Sequence, residues 1–246
     1  MIAQLLEYSE KGTQWLQGKG YGSASIGREV SAALPLLPTA DAVVFDVGAN
    51  KGAWTRELLA RAGSKLSAVY CFEPSRHNHE SLCSIRDERV TLIKRAVSDQ
   101  ATRATLYSEA GGSGMASLAH RRLDHFGMDP SLTEEVETTT LDEMIAERGI
   151  TQVDFVKLDI EGYEYRAMLG GSHALEAGII RALSFEFGGC NIDTRTYFQD
   201  FWYFLTERGF NIALINPIGV PRLITRYRES LEHFRTTNYL AWTERS

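Results

Sequence analysis

The chain's pattern predicts an α/β fold: a mostly parallel sheet with helices on both faces. Two observations lead there. β-branched runs alternate with helical patterns from residue 42 onward and again after the middle of the chain, and the runs end in glycines and carboxylates. With 246 residues and 43% hydrophobic content, the chain can bury one sizeable core, and its length does not demand two domains.

Taken in order, Leu5, Leu6 and Trp15 among polar neighbours predict a short N-terminal helix. A second helix is expected from about Ser25 to Leu34, before Pro35 and Pro38. Residues 1–40 therefore read as a helical cap on a main unit spanning 41–246. Strand 42–47, helix 53–62, strand 67–72, helix 76–86 and strand 90–95 follow. Residues 100–140 break the rhythm with Gly111-Gly112-Ser113-Gly114 and a polar stretch, and read as an insertion over the sheet edge. The pattern resumes with strand 153–158, helix 163–177, strand 180–187, helix 196–208 and final strands near 210–216 and 237–243. Phe198, Phe201, Trp202 and Leu205 recur at helical spacing as a core-facing stripe. The connection 217–236 carries Pro217, Gly219, Pro221 and a basic cluster, Arg222, Arg226 and Arg228, which suits either a phosphate or a solvated face.

The net charge of −6 gives no basic footprint for duplex nucleic acid, so no nucleic-acid partner is expected. No window reaches the ~18 apolar residues of a membrane span. The first twenty residues lack a basic segment and a cleavage site, so they do not read as a signal peptide. Cys71, Cys83 and Cys190 form no CxxC pair and are expected as free thiols in a reducing cytoplasm.

In open parallel sheets, ligands bind at the carboxyl ends of strands near the point where strand order reverses. Strand one ends in Asp46-Val47-Gly48-Ala49-Asn50-Lys51-Gly52. Gly48 and Gly52 suit a tight turn close to a ligand, and Asn50 tolerates left-handed backbone. The turn opens a helix whose first amides can receive an anion. Strand two ends in Phe72-Glu73-Pro74-Ser75, and Glu73 follows Gly52 at the interval where dinucleotide folds place the acid for ribose hydroxyls. Glu73 could otherwise be a helix N-terminal charge. A nicotinamide dinucleotide and S-adenosylmethionine both fit such a geometry. The turn favours the second, because Asn50 replaces the glycine that would approach a pyrophosphate, and Asp46 offers a carboxylate to an amino group.

Asp46-Val47-Gly48-Ala49-Asn50-x-Gly52-x-Trp54-Thr55, Phe72-Glu73-Pro74, Ala96-Val97-Ser98-Asp99, Thr140-Leu141-Asp142 and Val153-Asp154-Phe155-x-Lys157-x-Asp159-Ile160-Glu161-Gly162-x-Glu164 together resemble the FkbM family of S-adenosylmethionine-dependent methyltransferases. The resemblance runs from about Val43 to Glu186, and more loosely to Asn238-Tyr239-Leu240-Ala241. It implies a class I methyltransferase fold, Rossmann-like, with a seven-stranded sheet whose last strand is antiparallel. It also implies O-methylation of hydroxyls, commonly on sugars of polysaccharides, glycolipids or antibiotics. The turn from Asp46 to Gly52, with Ala49, Trp54 and Thr55, would hold the methionine moiety of S-adenosylmethionine. Glu73, Pro74 and Ser75 would lie at the ribose, and Val97, Ser98 and Asp99 near the adenine.

A general base activates an alcohol nucleophile by ~10²–10⁴-fold. Asp159 and Glu161, at the end of strand four, are the base candidates, with Lys157 beside them. The strand period of two puts Lys157 and Asp159 on one sheet face, so an internal ion pair between them is the competing reading. Glu161 or Glu164 could cap the following helix instead. Asp159 and Glu186 offer hard oxygen ligands of the kind Mg²⁺ takes, without a clear third ligand. Glu186 and Tyr163 are candidates for substrate contact. The sequence therefore predicts a cytoplasmic S-adenosylmethionine-dependent O-methyltransferase acting on a small-molecule or glycan hydroxyl. An NAD(P)-dependent oxidoreductase and a non-catalytic cofactor-binding module are the alternatives.

Overall fold

The computed structural model describes residues 2–20, 26–216 and 220–244. Ser25, Pro217 and Gly219, which figured in the sequence reading, lie outside them. Two helices come first, α1 (Ile2–Leu16) and α2 (Ile26–Ala33), followed by β1 (Ala42–Val47), α3 (Ala53–Ala62), β2 (Leu66–Phe72), α4 (Arg76–Cys83) and β3 (Val90–Ile93). The middle of the chain forms β4 (Ala96–Val97), β5 (Arg103–Ser108), β6 (Leu132–Thr139) and α5 (Leu141–Arg148). The second half contributes β7 (Phe155–Leu158), α6 (Glu164–Leu169), α7 (Ser172–Glu176), β8 (Ala182–Phe187), α8 (Cys190–Thr194) and α9 (Phe198–Thr206). β9 (Asn211–Ile215), β10 (Pro221–Ile224) and β11 (Thr237–Trp242) complete it.

The main sheet has eight strands in the order β10-β9-β11-β8-β7-β1-β2-β3. β1, β2, β3, β7 and β8 pair in parallel, while β11 runs antiparallel between β8 and β9. This is the class I methyltransferase-like arrangement, with one strand more than the seven expected. The extra strand is β10, which pairs antiparallel with β9 from Pro221↔Ile215 to Ile224↔Ile212. Edge position explains why its opening proline is tolerated. Strand order reverses between β1 and β7, because β2 and β3 lie on one side of β1 and β7 and β8 on the other. A crevice for ligand is expected there.

Each strand sends alternate residues to two cores. Phe45, Val156, Leu158 and Phe185 join Phe198, Phe201 and Leu205 of α9 in one. Val44 and Phe155 join Val30 of α2 and Trp54 and Leu58 of α3 in the other. The aromatic stripe of α9 is thus core, as its spacing predicts, with Phe185 stacked on Phe201 at 4.8 Å between ring centroids.

Two expectations change. The polar insertion is folded: β5 pairs antiparallel with β6, and β4 adds to β6 in a three-stranded sheet. The single helix expected over 163–177 breaks at Gly170-Gly171 into α6 and α7. A Cβ on Gly170 would stand 2.2 Å from the Ser98 carbonyl oxygen, so the break lets the chain press against the end of β4. Asp142 then caps α7 by accepting from the amides of His173 (3.1 Å) and Ala174 (2.8 Å), while Thr140 caps α5 by accepting from Glu143 N at 3.0 Å. The Thr140-Leu141-Asp142 motif therefore ties two helices together.

Candidate active site

The turn after β1 is set by backbone. The amides of Gly48 and Ala49 both donate to the Phe72 carbonyl at 3.0 Å, and Gly48, Asn50 and Gly52 take φ of 79°, 48° and 79°. A Cβ on Gly48 would stand 1.9 Å from the Asp159 carbonyl oxygen. Gly48 is thus required by the approach of the β7 end as well as by its left-handed backbone. At Gly52 a Cβ would meet Ile85 and Leu82 at 2.8 and 2.9 Å, so this glycine seats the turn on α4 and its C-terminal flank.

Glu73, at the end of β2, is buried and aimed by backbone. Its Oε2 accepts from Asn50 N at 2.7 Å and its Oε1 from Ser75 N at 2.9 Å. Each oxygen retains a lone pair for a further donor. Burial raises its pKa, opposed by these amides and by Asn78. Gly48, Asn50, Glu73, Pro74, Val97, Asp159 and Tyr163 line one pocket. Its apolar wall includes Phe72, Leu106, Leu118 and Ile160. The pocket thus combines a buried carboxylate with an apolar wall, the composition typical of a small-molecule site.

Below the turn lies a buried ion network. Asp46 pairs with Lys157 across the β1–β7 register, and Lys157 Nζ lies 3.2 Å from Asp46 Oδ1, 3.3 Å from Asp159 Oδ2 and 3.0 Å from the Gly48 carbonyl it donates to. Burial alone would lower the lysine's pKa, but Asp46 and Asp159 outweigh it and hold the ammonium above its usual value. Asp46 Oδ2 accepts from Thr55 Oγ1 at 2.6 Å. Asp46 is 0% exposed and lines no described pocket, so its carboxylate is turned to Lys157 and Thr55 and away from the cleft. The expected Lys157–Asp159 pair is present, on the face the strand period assigns.

A second pocket continues from the first through Gly48, Asn50, Gly114 and Asp159, which border both, and adds Ala49, Trp54, Lys157, Glu161 and Glu186. A third shares Glu161 and Glu186 with it and opens beneath Arg121 and Phe126. Glu161 sits at φ 55° in the turn after β7. Glu164 holds that turn by accepting from Ile160 N at 2.9 Å and Gly162 N at 3.0 Å, which assigns it the local structural role. The insertion reaches across: Ser117 Oγ donates to the Glu161 carbonyl at 2.8 Å and Arg121 Nη1 donates to Glu161 Oε2. Burial, with Asp159 repelling and Arg121 opposing, pushes Glu161 up to about 7. Burial and the carboxylates of Asp159, Glu161 and Glu164 raise Glu186 well above the carboxylate range.

Not every predicted residue reaches the cleft. Ser98 donates to Asp99 at 3.0 Å, and Asp99 pairs with Arg166 at 2.7 Å, so these two close a surface contact while Val97 and Ala96 form the pocket wall. Thr55 and Ser75 are buried in the Asp46 and Glu73 networks. Tyr163 stands in the first pocket, beside Val97, and lines neither of the pockets that Glu186 borders. For a metal, the ligand atoms of Glu161, Glu186 and Cys190 lie within 4.8 Å of one another, and Asp159 is not among them. Burial and the neighbouring acids push the Cys190 thiol up. Two carboxylates and a protonated thiol are not the all-oxygen set that Mg²⁺ takes, so the residues present do not fit that ion.

Two charged contributors, Glu29 and Arg121, escaped the sequence reading. Glu29 comes from α2, accepts a hydrogen bond from the Asn238 side chain, and is pushed up to about 7 by burial and by Asp159 and Asp46, with Lys157 opposing. Glu29, Asn238 and the loop residue Gly114 border the second pocket. Arg121 arrives from the polar stretch of the insertion. No local motif marks Glu29 or Arg121, whereas Asn238 lies in the looser end of the family resemblance; for Glu29 the signal was the apolar face of α2, with Val30 and Ala33 turned to the core.

A pocket at the β1 switch point, in this strand order, is the arrangement of the class I methyltransferase fold. The chain belongs to the methyltransferase FkbM domain family, whose model matches residues 46–212. It is 26% identical over 175 residues to the 2-O-methyltransferase NoeI of Sinorhizobium fredii, covering 64% of this chain and 67% of that protein. It is 31% identical over 154 residues to the 31-O-demethyl-FK506 methyltransferase FkbM of Streptomyces tacrolimicus, covering 52% of this chain and 58% of that one. Against the crystal structure of a methyltransferase FkbM from Methylobacillus flagellatus KT, the TM-score is 0.48 at 18% identity, over 82% of this chain and 44% of the other. The oxidoreductase alternative falls with the family.

Proposed function

We propose that the chain transfers a methyl group from S-adenosylmethionine to a hydroxyl, of a sugar in a polysaccharide, glycolipid or glycosylated metabolite. The observation that carries this reading is a run of adjoining pockets, the first sharing Asp159 with a second that in turn shares the carboxylates of Glu161 and Glu186 with a third. The two relatives are named a 2-O-methyltransferase and a 31-O-demethyl-FK506 methyltransferase, and both names put the methyl group on an oxygen.

In this reading Glu73 receives the ribose hydroxyls, Val97, Phe72 and Leu106 enclose the base, and the turn from Gly48 to Asn50 meets the methionine part. The bound donor supplies an electrophilic sulfonium methyl. The protein's own work is to place a hydroxyl in line with it, an alignment worth ~7–11 kcal/mol, and to take its proton. Glu161 is the base, since a carboxyl near 7 is half ionised at neutral pH and matched to that task. Glu186, held protonated, donates a hydrogen bond to a neighbouring acceptor oxygen. Lys157 fixes Asp159 beside the donor pocket and is a positioning residue.

Calorimetry with S-adenosylhomocysteine should show binding that Glu73→Ala abolishes. Mass spectrometry of candidate glycans after incubation with labelled donor should report the added methyl. Folded protein that binds neither the donor nor its product would sink the reading, and donor binding with transfer only to non-glycan hydroxyls would remove the sugar from it.

A further inference from the structure

Away from the cleft, one concavity collects cations that nothing in the proposed reaction uses. Lys19, just beyond α1, Arg222 on β10, and Arg226 and Arg228 in the chain after β10 line a single groove with Ser230, and no carboxylate lines it. All of these residues fall outside the segment 46–212 matched by the family.

The groove is unusual within this molecule. The chain is acidic, at −6, and its other arginines commonly hold a carboxylate, as Arg89 does with Asp87 at 2.6 Å, Arg166 with Asp99 at 2.7 Å and Arg208 with Glu176 at 2.5 Å. Among the described residues, no ion pair engages Arg222, Arg226 or Arg228. The adjacent Glu232 is already committed, accepting from Phe198 N at 2.7 Å, Gln199 N at 2.8 Å and Tyr227 Oη at 2.7 Å. Lys19 is fixed in place by donating to the Ser230 carbonyl at 2.8 Å. Like charges converging in a concavity repel, and the repulsion is relieved by an anion seated among them. Planar guanidinium forks beside an ammonium match the oxygens of phosphate.

We propose that the groove formed by Lys19, Arg222, Arg226 and Arg228 is a phosphate-binding site, separate from the methyl-transfer cleft. Its ligand is a phosphate or diphosphate group, carried either by a soluble molecule or by a lipid headgroup. The second source is a real arm of the test because Leu16, three residues before Lys19, is 78% exposed.

Inorganic pyrophosphate titrated calorimetrically into the full chain at low ionic strength should bind, and binding should weaken as salt is raised. The exposed double variant Arg226→Gln/Arg228→Gln should lose about tenfold or more in affinity, as the removal of charge-assisted hydrogen bonds implies, with its thermal transition unchanged. Arg222→Gln provides an independent variant on β10. In parallel, co-sedimentation with phosphatidylglycerol vesicles is compared with phosphatidylcholine vesicles. Pyrophosphate binding alone assigns a soluble ligand; retention by the anionic vesicles alone, lost in the variants, assigns a headgroup. No binding in either arm, or equal binding by wild type and all variants, overturns the proposal. Neither arm requires methyl transfer, so failure here leaves the proposed reaction standing, and the reverse.

Discussion

Lys157 is the one cation among the buried acids of the β1–β7 junction, and its removal should be felt in folding before catalysis. Its side chain is 6% exposed and Asp46 0%. Lys157→Met would leave Asp46 charged, buried and answered only by Thr55, which should cost about 3–5 kcal/mol in denaturant unfolding. Adding Asp46→Asn should recover part of that loss, because the stranded charge is then gone; independent, additive losses would show that the pair is not coupled. Gly48 offers a sharper case. Gly48→Ala meets both a positive φ and the Asp159 carbonyl oxygen at 1.9 Å, whereas Gly127→Ala has the left-handed φ of 69° and nothing within 4 Å. The Gly127 variant should therefore report backbone strain alone, about 1 kcal/mol, and the Gly48 variant about 3 kcal/mol or more, with loss of S-adenosylhomocysteine binding.

The strap between β5 and β6 is where elements meet function. Arg121 is 7% exposed in its side chain and joins the strap to Glu161, with Asp193 of α8 at 3.9 Å from its Nε. A guanidinium beside a carboxylate favours ionisation, so Arg121→Ala should push Glu161 above its value of about 7. The rising acid limb of kcat/KM against pH should move to higher pH, and amide exchange over 113–122 should quicken. An unmoved limb would remove Glu161 from the role of base. The sequence foretold the elements that carry periodic apolar residues, β1, β2, α3 and α9 among them, because burial there dictates residue type. It missed the strands of the insertion, where Arg103–Ser108 and Leu132–Thr139 pair with one face left to solvent and few apolar residues to betray the period. That Gly48, Asn50 and Glu73 would share a pocket was legible because one turn and one strand end carry them. The placement of Glu29 and Arg121 was not, since they come from distant segments and reach the carboxylates only when the sheet is assembled. Asp46 and Asp99 carry partners that the sequence did not reveal: a carboxylate at a strand end looks available until its cation, Lys157 or Arg166, is placed.

At the scale of the whole molecule, these acids set how stability responds to pH. Glu29, Glu161 and Glu164 are each pushed up to about 7 from 4.5, chiefly by burial, and burial also raises Glu186 well above 4.5. A carboxyl whose folded pKa is raised binds its proton more tightly in the native state. The stability it contributes is fully present below the unfolded value and is lost as pH rises through the folded one. His233 works in the opposite direction: burial, with Lys19 and Arg235, lowers it to about 4 from 6.5, so acidification through that range favours the unfolded chain. Five raised carboxyls, Glu73 among them, against one imidazole leave the native state with the greater proton uptake between about pH 5 and 7. Asp87 and Asp99, held below the usual range by Arg89 and Arg166, lose their contribution only in more acidic solution. Thermal unfolding followed by circular dichroism should therefore give a higher transition temperature near pH 5.5 than near pH 8. Glu164→Gln should flatten that slope while keeping the turn after β7, since its amide oxygen can still accept from Ile160 and Gly162. A transition temperature that rises steadily toward pH 8 would show that these carboxyls hold no excess of protons in the native state and would overturn the assignment.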